Sequence, residues 1–140
     1  MANAKVTDLS AIPSMTGGTV LYAVQSSTDY QATRDQVVSQ ILATGLTAAG
    51  SNQGTALALT AELNQVATVN TNTGVSLPVP VTPFGKTVTV INAGANALKV
   101  YPPSGAQINA LGSNNALSVA VNTSVDFHGT SATQFYSVGG

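Results

Sequence analysis

The apolar positions of this chain follow two different periods. From about residue 55 onward, short runs rich in Val, Leu, Ile and Thr alternate with clusters of Gly, Pro, Asn and Ser. These runs predict strands at Thr55–Leu59, Leu63–Val69, Gly74–Leu77, Thr87–Asn92, Ala97–Tyr101, Ala106–Ile108, Ala116–Val121, Ser124–His128 and Phe135–Val138. Val125 and Phe127 alternate with Ser124, Asp126 and His128, and Val119 and Val121 with Ser118 and Ala120. That is the period of two of a half-buried strand. Between Thr87 and Asn92 either face could be the inner one. Short strands separated by turn clusters such as Pro78–Gly85 and Pro102–Gly105 predict a mainly β chain, an antiparallel β-sandwich of jelly-roll type.

The first 54 residues read differently. Residues 1–18 form an extended N-terminal arm, with Ile12-Pro13 and Gly17-Gly18 as breakers and Val6, Leu9, Ile12 and Met15 as candidate apolar anchors. Residues 19–45 hold a hairpin and one short helix. Thr19–Val24 and Tyr30–Thr33 are the two arms of the hairpin. Thr33 with Gln36 makes a capping box, Val37, Val38, Ile41 and Leu42 fall on one helical stripe, and Gly45 can end the helix. The helix is expected over about 34–43. Residues 46–54 have linker composition, and 55–140 form the β-sandwich domain.

Composition narrows the function. Only 6% of the 140 residues are charged, against 44% hydrophobic, and the net charge is −1. Four scattered cations do not form the basic footprint that nucleic acid requires. No apolar run is long enough for a transmembrane helix, and Met1–Asp8 has no apolar signal core. The absence of cysteine excludes disulfides, thiolate metal sites and cysteine nucleophiles. Near-zero net charge favours association, so the composition suits a chain that works assembled.

Candidate chemistry is sparse. His128 is the one histidine, and Asp126 shares its side of a strand, but no Gly-x-Ser-x-Gly elbow presents a nucleophile to them. The five carboxylates are dispersed, without a metal-ligand spacing or a glycosidase pair. Lys86, Lys99 and Glu62 lie in an Asn-rich β region where a Lys–Asn isopeptide bond is conceivable; solvated surface lysines are the simpler expectation. No catalytic residue, metal ligand or cofactor is assigned, and the chain is expected not to be an enzyme. Phe127 and one of Phe135 or Tyr136 are expected in the core. Tyr22 and Tyr101 are candidate interface residues, with a core position open for Tyr101.

One segment echoes another: Ile91–Val100 resembles Ile108–Val119 with a two-residue insertion, consistent with two similar hairpins. The pattern Asn92-Ala93-Gly94-Ala95-Asn96 followed by Val100-Tyr101-Pro102-Pro103-Ser104-Gly105, with Thr55–Val69, Gln107–Gly112, Val125–Phe127 and Ala132–Tyr136, resembles a β-module of tailed-phage virion proteins. Phe135 stands where that module commonly has tryptophan. Val6–Leu9, Thr19–Val24 and Tyr30–Val37 resemble the N-terminal adapter of phage structural proteins. Together they cover most of the chain, which resembles the capsid cement (decoration) proteins of short-tailed phages. That resemblance implies a small jelly roll on the outside of the virion capsid, made in the host cytoplasm, with the major capsid protein and a second copy of itself as partners. A homodimer is implied, a trimer being the alternative. The arm residues Val6, Leu9, Ile12 and Met15 would contact the shell. The competing expectation is a trimeric tail or head fibre adapter or adhesin; a fibre should continue into a long shaft, whereas this chain stops at Gly140.

Overall fold

The computed structural model describes residues 20–25, 28–33 and 41–139. The chain divides into two compact units, Met1–Val38 and Ser39–Gly140. In the first, β1 (Val20–Gln25) pairs antiparallel with β2 (Thr28–Thr33), Val20 opposite Thr33 and Gln25 opposite Thr28. This is the hairpin expected there. The arm residues Val6, Leu9, Ile12 and Met15 lie outside the described residues.

The second unit contains β3 (Leu42–Thr47), β4 (Leu57–Ala58), β5 (Leu63–Thr68), β6 (Gly74–Ser76), β7 (Thr87–Asn92), β8 (Leu98–Tyr101), β9 (Gln107–Ile108), β10 (Leu117–Val119), β11 (Thr123–Ser131) and β12 (Gln134–Gly139). They form a six-stranded sheet in the order β3-β5-β7-β11-β12-β9 and a four-stranded sheet in the order β10-β8-β6-β4. The mainly β expectation holds, but both sheets are mixed. β3, β5 and β7 are mutually parallel, as are β4, β6 and β8. From β3 to β11 the chain passes from one sheet to the other and back four times, the first three coils taking about 20–25 residues each, in a solenoid-like arrangement. Antiparallel pairing enters only afterwards, where β11 pairs with β7 and β12, and β10 with β8. The arrangement is therefore not the all-antiparallel sandwich expected. Strand spacing and turn residues locate strands but do not record their direction.

Among the described residues there is no helix. The segment 34–40 of the expected helix lies outside the described residues, and its end, Leu42 and Ala43, belongs to β3. The same strand takes in Leu46 and Thr47, read from sequence as the start of the 46–54 linker. Gly45 has φ +69° and lies where the β3–β5 register shifts, so its left-handed backbone serves an irregularity in a strand rather than a helix end.

Inward-facing side chains of both sheets make one core. Val66, Val88, Val90, Val125, Phe127 and Phe135 come from one sheet, and Val75, Leu98, Val100 and Val119 from the other. β7 supplies Val88, Val90 and Asn92 inward and leaves Thr87, Thr89 and Ile91 half-buried outside. Phe127 is fully buried and Phe135 nearly so, while Tyr136 is exposed, as the alternation requires. Val121 breaks the sequence pattern: β10 ends at Val119, and Val121 is exposed in the turn before β11.

Asparagines close the Asn92 end of the molecule. Fully buried Asn92 donates from Nδ2 to the carbonyls of Asn96 (2.9 Å), Val119 (3.1 Å) and Ala120 (3.1 Å), and its Oδ1 accepts from the Gly94 N–H (3.0 Å). Asn96 Nδ2 donates to the Val69 carbonyl at 2.8 Å. A Cβ on Gly94 would stand 2.7–2.8 Å from Val69, including its backbone nitrogen. The Asn92–Asn96 stretch is thus an arch between the sheets, linking β7 to β8, rather than a hairpin. Its echo likewise links a strand of one sheet, β9, to a strand of the other, β10.

Candidate docking groove

The segment between β6 and β7 reads Pro78-Val79-Pro80-Val81-Thr82-Pro83-Phe84-Gly85-Lys86, with Thr82-Pro83 in the cis form. Its three prolines restrict the backbone. Main-chain bonds tie it to β11: Gly85 N–H donates to the Gly129 carbonyl (2.9 Å), and Gly129 N–H to the Lys86 carbonyl (3.2 Å). Gly129 also permits close packing, because a Cβ there would meet Pro80 at 3.3 Å and Phe135 at 3.4 Å.

Held in this way, the segment presents apolar side chains to solvent. Val79 is 68% exposed, Val81 62% and Phe84 43%. Beneath them lies a groove of about 170 Å³, floored by Val88, Gly129 and Phe135 and flanked by Thr60, Ala61 and Glu62. A single ion pair, Lys86 Nζ to Glu62 Oε1 at 3.8 Å, marks its rim, with both side chains more than half exposed. A pair so hydrated contributes under about 1 kcal/mol. Covering the three apolar side chains would gain about 1–2 kcal/mol each. The groove can therefore bind an apolar surface; Glu62 is the one carboxylate in its lining.

The residues singled out from sequence fall elsewhere. Asp126 and His128 do share one face of β11, but each engages a threonine of β7. Thr89 Oγ1 donates to Asp126 Oδ1 at 2.7 Å, and Thr87 Oγ1 lies 2.9 Å from His128 Nδ1. Tyr101 takes the core alternative: it is 7% exposed, and its hydroxyl donates to the Ser51 carbonyl at 2.7 Å. That contact removes it as an interface residue. Tyr22 lies on β1. Lys86 meets Glu62 as an exposed ion pair, the solvated reading of those residues. Among the described residues no group of three or more His, Asp or Glu is placed to hold a metal ion, and no helix is long and apolar enough to cross a membrane.

Val79, Val81 and Phe84 were not among the sequence candidates. Their signal was present, since apolar residues alternate with prolines from Pro78 to Phe84. The prolines marked the segment as a turn and drew attention from what it carries.

No family model, curated protein or solved structure matches the chain.

Proposed function

We propose that this chain is a structural virion protein that acts as a capsid cement: it binds the outside of an assembled major capsid shell and stabilises it without catalysing a reaction. The observation that carries the reading is the Pro78–Lys86 segment, a tethered apolar projection with an apolar groove beneath it. The motif that suggested a phage β-module has a structural use, because Asn92, Gly94 and Asn96 build the arch between the sheets. The weight of the functional reading therefore rests on the surface.

The physics of such a role is simple. A protein that binds only the assembled shell shifts assembly by mass action. Many copies, each with a modest apolar contact, give a large combined effect. In this reading the arm residues Val6, Leu9, Ile12 and Met15 add a second contact with the major capsid protein.

The test is the copy number and position of the chain in purified virions, with wild type compared to Val81→Ser/Phe84→Ser. Many copies spread over the shell, lost in the double variant while its melting temperature is unchanged, are the expected result. Full shell occupancy by the double variant would remove the groove from the contact. A second reading, a fibre or tail adapter, is favoured by the parallel coils β3–β8, which stack along one direction and leave β3 and β4 as edge strands. A few copies at the tail vertex would establish it in place of the first.

A further inference from the structure

The outer face of the six-stranded sheet carries a pattern that fits a second copy of itself. On this face His128 stands beside Tyr136 and Thr87, and Asp126 beside Val138 and Thr89. The two rows are one side-chain repeat apart along the strands, and Phe127 points inward between them. Tyr136 is 53% exposed and Val138 61%, large apolar groups without a partner among the described residues. Half-buried Leu63 and exposed Leu42 continue the Asp126 row across β5 and β3.

Each polar group is half used. The Thr89 hydroxyl occupies Asp126 Oδ1 and leaves Oδ2 available. In the tautomer in which the Thr87 hydroxyl donates to His128 Nδ1, the imidazole proton sits on Nε2, which is then an outward donor. Asp126 and His128 are thus a pre-oriented acceptor and donor, two residues apart on one strand and aimed the same way.

We infer that this face forms an isologous two-fold contact between copies of the chain, centred at the level of Phe127. The argument is geometric. Place a two-fold axis in the plane of the contact, perpendicular to β11 at that level. It lays β11 of one copy antiparallel over β11 of the other and exchanges the two rows. His128 then faces Asp126 of the second copy, and the reverse pair forms by symmetry. The same operation sets Tyr136 against Val138, and Thr87 against Thr89. One axis therefore satisfies a hydrogen-bonded pair and an apolar pair, each twice. Packed sheets lie about 10 Å apart, a gap that facing Asp and His side chains can bridge.

Size and charge agree. The six strands run from two residues in β9 to nine in β11, and at about 3.3 Å per residue and about 4.8 Å between strands they give a face on the order of 550 Å² in projection. Side-chain relief raises the accessible area toward the roughly 800 Å² per partner of a standard interface. A chain with 6% charged residues brings few unpaired charges into such a contact. The groove adjoins this face at Thr87, which lines it, whereas Asp126, His128, Tyr136 and Val138 stand outside its lining, so the variants below leave the groove residues unchanged.

The test is sedimentation equilibrium of the full chain, wild type against His128→Asp, Tyr136→Lys and the exchange Asp126→His/His128→Asp. Wild type should dimerise. His128→Asp opposes two carboxylates and should weaken the dimer at least about tenfold, a loss typical of a mismatched charge at a contact. Tyr136→Lys, at an exposed position that leaves the fold alone, should do the same. The exchange restores opposite partners across the axis and should restore the dimer. A wild-type monomer at about 100 µM, a trimer, or dimers indifferent to both single variants would each overturn the inference.

Discussion

Replacing Asn92 by alanine isolates the polar tie that joins the arches of the fold. Its two Nδ2 protons serve three carbonyls, those of Asn96, Val119 and Ala120, so one proton is shared. Its Oδ1 takes the Gly94 N–H. Alanine removes about three effective hydrogen bonds, at about 1 kcal/mol net apiece. It also leaves the buried Val119 carbonyl and Gly94 N–H without these partners, which raises the cost of each toward the desolvation penalty. A loss of about 3 kcal/mol or more is expected, against a typical total stability of about 5–15 kcal/mol. For a unit of this size that lowers the melting temperature by about 10–20 °C. In urea it moves the midpoint down on the order of 2 M with the slope unchanged. Urea melts followed by circular dichroism measure both quantities. A change below about 1 kcal/mol at constant slope would refute the reasoning, because it would mean that water or neighbouring groups replace those bonds at no net cost. Asn96→Ala in the same background should then show non-additive loss, since the two side chains secure adjoining arches.

Gly94→Ala should destabilise by about 1–3 kcal/mol or more in the same melts, because its Cβ would press on the Val69 backbone. Asn64 offers the contrast to Asn92. It too is fully buried, but its Oδ1 has no partner, and its firm bond is one donation to the Ala61 carbonyl at 2.8 Å. Asn64→Leu removes an unpaired acceptor along with that bond, so its stability should stay within about 1 kcal/mol of wild type, whereas Asn92→Leu should lose as much as Asn92→Ala.

Much of the second unit could be read from the order of residues. The run Thr87–Asn92 is dense in β-branched residues and bounded by turn formers, and β7 occupies the same six positions. Phe127 and Phe135 are buried as the alternation of their strands requires. Direction was not legible. Nothing local in Leu63–Thr68 says that its neighbours β3 and β7 run parallel to it, because that depends on which distant segment arrives beside it. β3 was hidden for a related reason. Val37, Val38, Ile41 and Leu42 satisfy helical spacing, and Thr44-Gly45 resembles an ending, yet pairing with β5 makes Leu42–Thr47 a strand. The groove is not legible in the sequence because prolines mark a turn whichever way its apolar side chains face. Only the bonds between Gly85, Lys86 and Gly129 show that the Pro78–Lys86 segment is held against β11 with its valines outward.

The place of β11 and β12 bears on how the protein comes into being. These strands follow β3 to β10 along the chain yet sit between β7 and β9, in the middle of the larger sheet. A ribosome that has delivered β3 to β10 has therefore produced a sheet with a gap through its centre, lacking the Phe127 and Phe135 rings. Until the β11–β12 hairpin emerges, one edge of β7 stays bare and available to the wrong neighbour. Contacts that close over long stretches of chain form slowly. The nascent unit is thus most vulnerable just before β11 and β12 emerge, and their hairpin acts as the wedge that closes the larger sheet.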